Sequence, residues 1–147
     1  MQDICDYLTD ICSIKLPDGV EEAFVTEKIL DMSIQNFLER CQHYFKCTLD
    51  DMLKTLLLIY QLLHPLVQGV VFGEKTPTTS KNPIWISHDN VMNLYGTVLL
   101  IVTKVEDDFH ISNSKAARVL GLTLQKINQF EVEFLFMSQF NLISFEF

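Results

Sequence analysis

The chain has 147 residues, 48% of them apolar and 20% charged, a composition that suits one folded domain and excludes a disordered segment. Eleven Lys and Arg against nineteen Asp and Glu give a net charge of −8, a field that repels phosphate backbones and disfavours nucleic-acid binding. Only five Gly and four Pro leave little turn material for an all-β fold, so helices are favoured.

Residues 2–13 place Ile4, Tyr7, Leu8, Ile11 and Cys12 at helical spacing, and Pro17-Asp18-Gly19 closes the pattern with turn chemistry. No basic stretch precedes an apolar run here, so no secretory signal is expected and the protein is expected to be intracellular, in cytoplasm or nucleus. Residues 20–32 lack a clear period; a helical turn around Phe24 and Ile29 is expected. Ser33 predicts an N-cap, followed by Ile34, Phe37, Leu38, Cys41, Tyr44 and Phe45 on one face, with Glu39, Arg40, Gln42 and His43 on the other. Thr48 predicts the next cap, with Asp50 and Asp51 in a first turn that favours acids. The helix behind it, Leu49–Leu63, is apolar nearly all round, which predicts burial among other helices. His64-Pro65 ends it.

Residues 65–86 form the longest linker, with Val70-Val71-Phe72 and Trp85 predicted to be pinned to the core. Ser87 predicts the cap of a third long helix, again broadly apolar, ending near Glu106. Gly96 in its interior costs about 1 kcal/mol against Ala and implies close helix–helix approach. Asn113 or Ser114 predicts the cap of a short helix, Lys115–Leu120, stopped by Gly121. Thr123 caps the last helix, which carries Leu124, Ile127, Phe130, Phe134, Leu135 and Met137 and ends near Phe140-Asn141-Leu142. The expected architecture is all-α: five helices between residues 33 and 140, the two long central ones apolar all round, and one helix before them.

No phosphate-binding loop, nucleophile elbow or metalloprotease motif occurs, so no catalytic residue and no cofactor are predicted. Cys5, Cys12, Cys41 and Cys47 fit no zinc spacing and read as reduced, buried thiols. His43, His64, His88 and His110 are scattered and read as surface residues. Glu106-Asp107-Asp108 lacks the oxygen spacing of a calcium loop, so no metal site is predicted; a solvated helix end or a contact with a basic partner are the alternatives. Apolar runs such as Leu56–Tyr60 and Val98–Val102 are five residues long, against about 20 for a bilayer span, so no membrane contact is expected. Lys104 and Glu131 each interrupt an apolar helix, either snorkelling to solvent or serving a function.

Several segments together resemble the cyclin box of the P/U-type cyclins. They are Ser33–Arg40, Cys47-Thr48, Leu57–Tyr60, Asn90-Val91, Thr103-Lys104, Asp107-Asp108, Ser112-Asn113, Ala116–Leu122, and the run from Leu124 through Asn128 and Glu131 to Phe134-Leu135. The likeness covers about residues 32–143 and departs from the family at Leu62-Leu63, where Asp-Arg is common. Apolar packing is expected to replace that ion pair. The resemblance implies an N-terminal helix and linker over 1–31, a single five-helix box over 32–143, and a short tail over 144–147 with no second box.

It also implies a regulatory subunit, not an enzyme, that binds a cyclin-dependent kinase, positions its C-helix and so activates it. The alternative is a cyclin-fold adaptor that activates no kinase. In the family a Lys ending the third box helix and a Glu in the fifth bond to kinase backbone; these positions match Lys104 and Glu131. Asp107 or Asp108 is expected to meet an Arg or Lys of the kinase. Phe134 and Leu135 are candidates either for the apolar shell of that contact or for the core. Neither the kinase, the process served nor the oligomeric state follows from the sequence.

Overall fold

A computed structural model describes residues 1–20, 22–63, 68 and 83–139. The chain runs through α1 (Gln2–Cys12), α2 (Ile34–Phe45), α3 (Leu49–Leu62), α4 (Val91–Glu106), α5 (Asn113–Leu120) and α6 (Leu124–Met137). No strand occurs among the described residues; the only extended pairing there is a parallel bridge between Leu63 and Ile84. The all-α expectation holds, with five named helices after α1 among the described residues.

The local sequence explains most helix starts. Ser33, Thr48 and Thr123 accept the backbone N–H of Asn36, Asp51 and Lys126 through their hydroxyls. Thr48 forms a full capping box, because the Asp51 carboxyl accepts the Thr48 N–H in return. Two starts differ from expectation. α4 begins at Val91, with Asn90 at the cap and Ser87 in the turn before it. α5 is capped by Ser112, whose Oγ accepts the Lys115 N–H, which leaves the Asn113 side chain for other partners. Gly121, at φ 70°, ends α5 in the left-handed conformation its sequence position demands.

The core is built around α4. Every residue from Val91 to Thr103 is buried, enclosed by α2, α3, α5 and α6. α1 packs on α2 and α3 through Ile4, Leu8 and Ile11. α3 is less enclosed than its composition predicts: Leu49 is exposed, and Leu53, Leu57 and Tyr60 are half-buried. Leu62 and Leu63 are buried, as expected for apolar packing in place of an ion pair. Tyr44 turns outward, away from the core face assigned to it. Trp85 packs against the core, whereas Val70-Val71-Phe72 and Phe140–Leu142 lie outside the described residues.

Gly96 marks the close approach of α4 and α5. A Cβ built there would run into Leu120 Cδ2 and come within 2.8 Å of Leu120 Cδ1. Gly96→Ala gains helix propensity but overpacks a buried site, and the second effect is larger, at about 1–3 kcal/mol. Thermal melting is expected to show net destabilisation; a raised melting temperature would refute the close-approach account.

Among the described residues of 20–32 there is no helical turn. Phe24 instead adopts φ 62°, a conformation that costs energy for a side chain of this size. Tertiary contacts hold it there. Its ring packs on Phe130 with centroids 5.4 Å apart, and its carbonyl accepts from Asn93 Nδ2 at 2.9 Å. Asn90, fully buried, donates from Nδ2 to the carbonyls of Ala23 and Trp85 and accepts the Ser87 N–H. Asn90 at the cap of α4 and Asn93 within it thus strap the segment around Phe24 against the helix. Ile29, named with Phe24 in the expected helical turn, is exposed.

Candidate functional site

The C-terminal end of α4 meets α5 and α6 in a polar cluster. Lys104, in the last turn of α4, places Nζ 2.7 Å from Glu131 Oε2 of α6. Glu131 Oε1 accepts from Asn113 Nδ2 of α5 at 3.3 Å, and the same nitrogen donates to Asn128 Oδ1 at 2.8 Å. The Lys104 and Glu131 side chains keep 29% and 18% of their exposure. The pair is therefore held in place yet reachable from outside. Lys104 also suits its position, because a cation favours a helix C-terminus.

Apolar surface flanks the pair in sequence. Val105 and Phe109 follow Lys104, and Val132 and Phe136 follow Glu131; all four are exposed, Phe136 most at 66%. Leu135 is half-buried against the core. Phe134 is fully buried at 0% exposure and belongs to the core, which leaves it no surface for a partner. Of the two places left open for it, contact shell or core, Phe134 occupies the core: its side chain faces α6's packed side, where period-3.6 spacing from Ile127 and Phe130 directs it.

The acidic run after α4 does not behave as one solvated group. Glu106 pairs with Lys54 of α3 at 3.1 Å. Asp107 interacts with the buried carboxyl of Asp51, which sits in the first turn of α3. Burial, then the hydrogen bond and charge of Asp51, then Glu106, push the Asp107 carboxyl up to about 6, with Lys54 opposing. Asp108 alone of the three is exposed without such a partner. Sequence reasoning missed Asn113, Asn128, Asp51 and Lys54 as members of this end of the fold. The one signal for Asn128 was its spacing three residues before Glu131, which puts both on one helix face.

A carboxyl raised in the folded state favours the protonated fold. Its contribution is present at low pH and is lost as pH rises from about 4 through about 6. Asp107→Asn keeps a donor for Asp51 and removes the charge. It is expected to raise the melting temperature by about 3 °C at pH 7.5 and to change it little at pH 4.5. An equal shift at both pH values would contradict a raised Asp107 carboxyl.

The four cysteines are buried and free. Burial first, with Glu22 next, pushes Cys12 up to about 12; burial, with Asp51 adding to it, does the same for Cys47. Such thiols are poor nucleophiles. His43, His88 and His110 are exposed, and His64 lies outside the described residues. Among the described residues no three His, Cys, Asp or Glu side chains gather as a metal site would need, and no helix is long and apolar enough to cross a membrane.

Comparison with known proteins follows the same lines. The model of the family described as Cyclin matches residues 11–142. PHO85 cyclin-7 of Saccharomyces cerevisiae is 30% identical over 145 residues, covering 94% of this chain and 49% of that protein. Cyclin-P2-1 of Oryza sativa subsp. japonica is 29% identical over 120 residues, with 82% and 48% covered. Cyclin-U2-2 of Arabidopsis thaliana is 31% identical over 125 residues, with 84% and 47% covered. The chain thus spans about half the length of the curated relatives it matches. With a family match over nearly its whole length and relatives of these names, the chain belongs to the cyclin family, among the P/U-type cyclins.

Proposed function

We propose that this chain is the regulatory subunit of a cyclin-dependent protein kinase, which it binds and activates by holding the kinase C-helix in its active position. The observation that carries the reading is the Lys104–Glu131 pair, partly exposed and followed on both helices by exposed apolar side chains. Charged groups of this kind can bond to backbone amides and carbonyls of a partner, and such bonds are strong and directional. The exposed apolar side chains that follow them in sequence add surface from which a docking partner would exclude water. The positions coincide with the Lys and Glu through which cyclins of the family hold a kinase. Asp108, exposed nearby, is the acid placed to meet a basic kinase side chain; Asp107 is engaged with Asp51. The name of the yeast relative, PHO85 cyclin-7, attaches that protein to a PHO85 partner, and a kinase of this class is the partner proposed here.

The test is co-expression with cyclin-dependent kinases of the source organism, followed by co-purification and phosphorylation of a histone-type substrate. A kinase that copurifies and gains activity supports the reading. A folded chain that binds none of them leaves an adaptor with a cyclin fold and overturns it. A kinase that binds without gaining activity would overturn the activation step alone.

A further inference from the structure

One cleft on this acidic chain is lined by cations that form no ion pair among the described residues. Between α2 and α5 a cavity of about 270 Å³ is walled by Arg40, Tyr44, Lys115, Arg118 and Val119. Arg40 Nε donates to the Val119 carbonyl at 2.9 Å, and its guanidinium carbon lies 5.1 Å from the Tyr44 ring centroid. These two contacts fix the plane of the guanidinium while engaging none of its terminal N–H groups. Lys115 and Arg118 stand three residues apart on α5, so their side chains share a face. The ion pairs among the described residues are Lys54–Glu106 and Lys104–Glu131, so all three cations of the cleft lack one. Tyr44 is exposed, although its place in the helix pattern predicts core; it stacks under Arg40 and edge-on to His43, 4.8 Å away.

We propose that this cleft binds the phosphorylated serine or threonine of a segment from a partner protein. Three unpaired positive charges around one small cavity match a dianionic phosphoryl group better than a single carboxylate. A guanidinium whose orientation is already set loses little freedom on making a bidentate contact, the geometry phosphate oxygens accept. The cavity is wide enough for a phosphorylated side chain and too small for a folded surface. Val119 and the Tyr44 ring supply apolar wall for a neighbouring residue of the segment. The cleft shares no residue with the Lys104–Glu131 cluster, so the proposal stands independently of the kinase reading.

The test is an NMR titration of the 15N-labelled 147-residue chain with a phosphothreonine peptide flanked by alanines. Parallel titrations use the same peptide with threonine, with glutamate, and inorganic phosphate alone, all at constant ionic strength. Saturable shifts at the Arg40 Nε–H and the Lys115–Val119 amides with the phosphopeptide, and none with the threonine peptide, are expected. Lys115→Glu with Arg118→Glu should weaken binding about tenfold or more. Arg40 stays in place because it bonds to Val119. If the double variant fails to fold, Lys115→Gln with Arg118→Gln replaces it. Shifts scattered away from the cleft, or none, overturn the proposal. Equal binding of the glutamate peptide would assign an acidic segment, and equal binding of inorganic phosphate would assign a free anion; either overturns it. Concentration-dependent self-association that buries the cleft would do so too.

Discussion

Lys104→Ala is expected to weaken kinase binding about 100-fold while lowering the melting temperature by no more than about 2 °C. In the free chain the Lys104–Glu131 bridge still reaches solvent, and pairs open to water contribute about 0–1 kcal/mol. In the proposed complex the same groups would lose their water and bond to the partner, where one charge-assisted bond contributes about 1.5–3 kcal/mol. Glu131→Ala should show the same split with a larger loss of stability, because Asn113 loses an acceptor. The exchanged pair Lys104→Glu with Glu131→Lys sharpens the test. It preserves an internal bridge but offers the kinase an acceptor where it needs a donor. Titration calorimetry and thermal melting read the two quantities separately. Losses of stability as large as the losses of binding would make the pair structural.

Asn90→Ala is expected to cost about 3 kcal/mol, roughly 10 °C in melting temperature for a chain of this size. The side chain has no exposure and serves three backbone groups at once: the carbonyls of Ala23 and Trp85 and the N–H of Ser87. Alanine leaves all three without their partner, and each such buried group costs about 1–3 kcal/mol if water cannot reach it. Asn90→Asp keeps the acceptor for Ser87 but sets a charge against two carbonyls, so it should be no better. Circular dichroism melts of the two variants decide the matter. A change under about 1 kcal/mol would mean that the segment around Phe24 detaches at little cost.

The fold was legible where the information was local. Apolar spacing found the six helices, and hydroxyl caps placed the starts at Ser33, Thr48 and Thr123. Starts were misplaced where a side chain had a competing use. Ser87 accepts the Asp89 N–H within a turn, so α4 waits for Asn90. Asn113 bonds to Asn128 and Glu131, so Ser112 takes the cap. Nothing near Phe24 announces a left-handed residue, because the contacts that stabilise it come from Asn93 and Phe130. The site was legible through family likeness at Lys104 and Glu131. Asp51 against Asp107 and Arg40 against Val119 stayed hidden, since each joins residues more than 50 positions apart.

A helix buried on every side has no route to private motion. The amides of α4 between Leu94 and Val102 can exchange with deuterium only when the neighbouring helices also part, so they should be among the last in the molecule to do so. The turn that carries Lys104 extends directly from this slowest segment. Its rotational freedom is surrendered when the chain folds, not when a partner arrives, which lowers the entropy lost on association.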